Sequence, residues 1–226
     1  AESEGCVDRA SLDLSTFHND SVGSDSQFAP SVDQTRVFQQ GLDGYTGVRD
    51  TWISDDGWDD PPQYTVNYGQ NEELYLSYGS GGNLLLGFDL TSIPTNSAVL
   101  SATLSLYNTT PGDCSSPGTL PRRAELYRVL RDWDEGNQES SPIDAPGDHG
   151  ATGDYAFQYY PGEGTDVPWN ARAMEAGSDY VAMSESFADI VNEGWYTWEV
   201  SSLVRAWVRG EVPNYGVVLR DVTGYQ

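Results

Sequence analysis

Apolar and polar residues alternate with a period of two along much of this chain, and the clearest case is residues 98–107. There Ala98, Leu100, Ala102, Leu104 and Leu106 fall on one face while serine and threonine hold most of the other, the pattern of a strand with one buried side. Further short β-prone runs at 51–54, 73–78, 84–89, 124–130, 195–200 and 216–220 are separated by Gly, Pro, Asn and Asp, the residues that end strands and build turns. One stretch breaks this rhythm. Residues 201–208 place Leu203, Val204, Trp207 and Val208 at helical spacing behind two serines that offer a hydroxyl cap, so a two-turn helix is predicted. Residues 134–181 have little periodicity and much Gly, Pro and Asp, which reads as a long loop excursion at one end of the fold, where function or contacts concentrate. The expected fold class is all-β, an antiparallel β-sandwich with one short helix.

A chain of 226 residues fits one domain of this class. Residues 1–35 differ from the rest: they are rich in Ser, Asp and Gly, with apolar positions only at intervals, such as Leu12, Leu14, Phe17 and Phe28. The predicted organisation is therefore a polar N-terminal arm, 1–35, held against a sandwich formed by 36–226.

Charge narrows the partners. Asp and Glu number 35 against 11 basic residues, every one of them Arg, for a formal net charge of −24. Such an excess repels phosphate backbones and anionic lipid, so neither nucleic acid nor membrane is an expected partner. No apolar run approaches the roughly 20 residues that span a bilayer. The start at Ala1-Glu2-Ser3, without methionine, is what an exported chain shows after its signal is removed, and an extracellular or cell-surface location is expected. Cys6 and Cys114 are too few for a disulfide scaffold and lack metal-ligand spacing. One intrachain bridge is favoured, with free thiols or an interchain bridge as alternatives. Asn19 and Asn108 begin N-glycosylation sequons, a pattern that suits an external location without establishing it.

Asp55, Asp56, Asp59 and Asp60 surround Gly57 and Trp58, and flexible acidic loops of this kind supply the oxygen ligands that calcium takes. A solvated acidic turn explains the same residues. Asp50, Asp132, Asp134 and Glu135 are further candidate ligands. Trp133, Trp195, Trp198 and Trp207 fall in predicted strands or the helix and are assigned to the core. Trp58, Tyr64, Tyr155, Tyr159, Tyr160 and Trp169 instead sit among Gly, Pro and Asp, where exposed rings could stack on sugar faces. The catalytic inventory is thin: His18 and His149 are the only histidines, no Ser occupies a nucleophile elbow, and paired carboxylates discriminate nothing in so acidic a chain. No enzyme is expected.

Several stretches, in this order, carry a resemblance: 43–53 (DGYTGVRDTWI), 67–69 (NYG), 84–94 (LLLGFDLTSIP), 101–107 (SATLSLY), 127–129 (YRV), 133–136 (WDEG), 177–180 (GSDY), 203–208 (LVRAWV) and 214–220 (NYGVVLR). Together they resemble the DNRLRE domain family of extracellular modules, which includes carbohydrate-binding modules of polysaccharide lyases and repeats of archaeal and bacterial surface proteins. The resemblance implies a jelly-roll sandwich, bound calcium and no catalysis. This chain departs from the family at its end, where one more strand usually follows residues 219–221. A sandwich short of a strand is a template for a strand from elsewhere, and the 1–35 arm is the candidate donor, to its own groove or to a neighbour's.

Two functions are compatible with this reading. One is a structural subunit of an extracellular assembly or filament, calcium-stabilised and joined to copies of itself by donor strands. The alternative is a module that binds a polysaccharide through the loop aromatics.

Overall fold

In the computed structural model the described residues are 34–77, 82–109 and 122–223, with 7–19 described for the backbone alone. In chain order the strands are β1 (Val7–Asn19), β2 (Gln34–Phe38), β3 (Val48–Ile53), β4 (Val66–Asn67), β5 (Asn83–Phe88), β6 (Ser97–Asn108) and β7 (Arg122–Arg128). They continue with β8 (Ser141–Pro142), β9 (His149–Gly150), β10 (Tyr155–Tyr159), β11 (Val167–Pro168), β12 (Ser186–Ile190), β13 (Gly194–Glu199) and β14 (Val217–Asp221); the α-helix, α1, is Ser201–Val208.

Two antiparallel sheets face each other. One has the order β13-β6-β1-β2 and the other β12-β7-β14-β5-β3. The chain crosses between sheets from β5 to β6, from β6 to β7, from β12 to β13 and from β13 to β14, the winding of an antiparallel β-sandwich on a jelly-roll plan. The interior is filled from both sheets by Phe38, Trp52, Leu84, Leu86, Leu104, Leu126, Trp198 and Leu219, closed at one end by Leu203, Val204 and Val208 of α1.

The five-stranded sheet is buried on its second face as well. Residues of the 134–181 excursion, among them Ala151, Ala156, Trp169, Met174 and Tyr180, form a further apolar cluster with Ile53, Leu85, Tyr127, Trp133 and Val218. This third layer explains why every position of β5 is buried: a strand covered on both faces reads as a continuous apolar run rather than an alternation. The excursion is thus a packed layer carrying β8 to β11.

Several expectations need correction. No ladder strand forms at 73–77, although Leu74 and Leu76 are buried; alternation reports one-sided burial, which a chain can meet without a pairing neighbour. In β6 the buried phase changes, so that Val99 is buried while Leu100 is 49% exposed. Arg205 of α1 donates to the carbonyls of Val99 and Leu100 there, at 2.7 and 2.5 Å. Trp195 is 58% exposed, because it lies an odd number of residues from buried Trp198 and a strand alternates its faces. No serine hydroxyl caps α1. The Glu199 carboxylate accepts the Ser201 N–H at 2.8 Å, and the Ser201 hydroxyl accepts the N–H of Ala102 at 2.7 Å, tying the helix to β6.

Candidate functional site

The feature that most sets this sandwich apart is where β1 lies. Residues 7–19 run between β6 and β2, antiparallel to both. Leu12 is in register with Leu104 on one side and Phe38 on the other, and Leu14 with Ala102 and Arg36. Ala10 stands opposite Leu106, and Phe17 opposite Val99 and Gln34. The β6 partners Val99, Ala102, Leu104 and Leu106 all belong to the core, so the apolar positions of 7–19 match the buried register of β6, while on β2 Phe38 is buried and Arg36 and Gln34 are exposed. Among the described residues, β2 joins the sheet through β1 alone. Its other anchors are buried Phe38, edge-on to Tyr45 at 5.2 Å, and a hydrogen bond from Arg36 to the Ser92 carbonyl at 3.3 Å. With strands spaced about 4.8 Å apart, an empty position here is a slot about 10 Å wide, lined on both sides by unpaired N–H and C=O groups.

A second constellation secures the outer edge of the other sheet. The backbone N–H groups of Val48 and Asp50 in edge strand β3 are accepted by the side chains of Gln40 and Glu135, at 3.4 and 2.9 Å. Burial raises the Glu135 carboxyl to about 7, aided by the nearby charges of Asp50 and Asp134 against the Asp50 N–H and Arg49. Burial alone raises Asp50 to about 6. Asp134 meets the His149 ring nitrogen Nδ1 at 2.5 Å and accepts the Gly136 N–H at 3.3 Å. Beneath them Asn67 is wholly buried; its amide donates to the Glu135 and Ala151 carbonyls and accepts from Gly69 and Gln138. The arrangement ties the excursion to β3 and blunts an edge that would otherwise pair with another chain.

Of the residues expected to bind calcium, Asp50 and Asp134 share the neighbourhood of Glu135, whereas the 55–60 loop is organised by its own hydrogen bonds. Asp56 accepts the Trp58 N–H at 2.9 Å, and Asp59 accepts from the Gln63 amide at 2.6 Å. Asp55 is raised by burial first of all, and the Asp60-Pro61 bond is cis. Among the described residues no three His, Cys, Asp or Glu side chains converge where they could hold one ion.

The loop aromatics do not act alike. Trp58 is 92% exposed. Trp169 is buried and donates its indole N–H to the Thr152 carbonyl at 2.9 Å; it belongs to the third layer, a correction forced by the apolar cluster that surrounds it. Tyr64 has the Arg172 guanidinium over its ring at 3.5 Å, so that face is covered. Tyr155, Tyr159 and Tyr160 lie half-buried along or just after β10, where Tyr159 stacks on His149 at 6.3 Å. The Asn108 amide donates to the Asn192 carbonyl at 3.0 Å. Cys6 and Cys114 lie outside the described residues, as do the side chains of His18 and Asn19.

Sequence reasoning missed the pairing of Asp134 with His149 and the seat of Glu135 on β3. The contact from Asp50 to Glu135 joins residues 85 apart, with no periodic signal between them. No known family model, curated protein or solved structure matches the chain.

Proposed function

We propose that this protein is a non-catalytic structural subunit of an extracellular or cell-surface assembly, in which copies are joined by exchange of the strand at residues 7–19. The observation that supports this reading is the position of β1, paired on both sides inside the sheet yet joined to β2 by the fourteen residues 20–33. The same two ladders form whether the strand comes from the chain's own residues 7–19 or from another copy. A connection of fourteen residues holds its own strand at an effective concentration on the order of millimolar. Exchange therefore wins where copies are crowded, as they are on a surface. The lysine-free, strongly acidic composition suits such a location. The calcium implied by the family resemblance has no converging ligand set among the described residues and is left outside this proposal.

The test is solution mass by light scattering over a concentration series reaching the millimolar range, for the full chain and for Leu12→Pro. Proline at a doubly paired position removes a ladder hydrogen bond. Multi-chain species that grow in with concentration and vanish in Leu12→Pro are expected. A full chain that stays monomeric throughout, or assemblies indifferent to Leu12→Pro, would overturn the reading.

One observation favours the carbohydrate-binding alternative, namely the exposure of Trp58. Retention on an immobilised polysaccharide that is lost in Trp58→Ala would move the assignment there.

A further inference from the structure

We infer that strand exchange closes as a reciprocal pair, with two copies meeting across the end of the sandwich where residues 19 and 34 lie. This rests on the strand-exchange reading above. Asn19, the last residue of β1, is in register with Ser97 at the start of β6, and Phe17 is in register with Gln34 at the start of β2. The donated strand therefore leaves its acceptor at the same end of the fold from which the donor's own body continues. Residues 20–33 span at most roughly 46–50 Å when extended. This end of each acceptor must lie within that reach of the same end of its donor. In an open chain of copies, one end would have to serve two different neighbours at once. A two-fold pair meets both requirements with a single contact face, and closed two-fold symmetry is the common solution for identical subunits.

A second observation marks the same end as a contact face. A hollow of about 570 Å³ opens there, its apolar lining supplied by Val48, Phe88, Leu90, Ile93, Trp207 and Val208. Its position is fixed by β3 beginning at Val48, β5 ending at Phe88 and β6 beginning at Ser97. Arg36, just inside the start of β2, reaches Ser92 in the same loop that supplies Leu90 and Ile93. The occupant assigned to this hollow is the matching end of the second copy, brought there by the exchanged strands and continuous with them.

Thr95 lines the rim and is exposed, so Thr95→Glu sets like charges against each other across the two-fold without disturbing the core. The measurement is the mass of the full chain and of Thr95→Glu over the same concentration series. The expected result is a plateau at the mass of two chains, with dissociation on the order of tenfold easier in Thr95→Glu. Masses that pass two chains and keep growing would overturn the closed pair while leaving strand exchange standing. A two-chain plateau unchanged by Thr95→Glu would overturn the assigned face. A monomer at every concentration would overturn strand exchange itself, and the pair with it.

Discussion

The Glu135 carboxylate accepts the backbone N–H of Asp50 at 2.9 Å, and through that bond the long excursion grips the edge strand β3. The grip is linked to protons. Glu135 and Asp50 both hold their protons more tightly in the folded protein, at about 7 and about 6 against ordinary values of 4.5 and 3.8. The folded state therefore binds more protons than the unfolded one between about pH 4 and 7. Stability from these two groups is greatest below the unfolded values and is lost as pH rises through the folded ones. Glu135→Gln keeps an acceptor for the Asp50 N–H and removes the titration. Its melting temperature is expected to match the parent near pH 4 and to exceed it at pH 8. Equal differences at both values would show that Glu135 does not titrate in this way.

Asp179 is wholly buried and collects donors from four groups, Arg131, the Asn170 backbone, the Asn170 amide and the Glu175 backbone. Asp179→Ala strands all of them and leaves the Arg131 guanidinium without its carboxylate. A loss of about 3 kcal/mol or more is expected from urea unfolding. A loss below about 1 kcal/mol would mean that water replaces the carboxylate.

Two tryptophans should respond oppositely to the same change. Trp198 is 1% exposed and donates to the Ala124 carbonyl across the sandwich at 2.9 Å, whereas Trp58 is 92% exposed. Trp198→Ala is expected to cost about 3–5 kcal/mol, and Trp58→Ala to stay within about 0.5 kcal/mol. A large cost for Trp58→Ala in denaturant titration would place that loop in contact with the body.

Gly136 has a φ of 90°, and a Cβ built on it would stand 2.3 Å from the Asn67 side-chain oxygen. Gly136→Ala must displace an amide with four hydrogen bonds, three of which knit the excursion to β4, as well as strain its own backbone. A drop in melting temperature of several degrees is expected. An unchanged melting curve would show that Asn67 moves freely.

The strand at 98–107 was legible because its alternation reports a face to solvent and a face to core, and the helix at 201–208 because four apolar residues recur at its period. Period alone misplaced Leu100, since the buried phase of β6 changes where Arg205 reaches its carbonyls. It also made a strand of 73–78, where Leu74 and Leu76 are buried without a ladder among the described residues. The excursion looked shapeless because its order comes from packing on another layer rather than from a local repeat. Composition marked out 1–35 as a segment needing a partner. The place of residues 7–19 between β6 and β2 depends on a register with β6 among residues some ninety positions apart. The same holds for Asp50 with Glu135 and for Asp134 with His149. Local sequence determines which residues favour a strand, a turn or burial, since those preferences act over a few bonds. Which strand lies beside which, and which carboxylate loses its water, is decided only when distant segments share one core, because desolvation and ladder pairing are properties of neighbours in space.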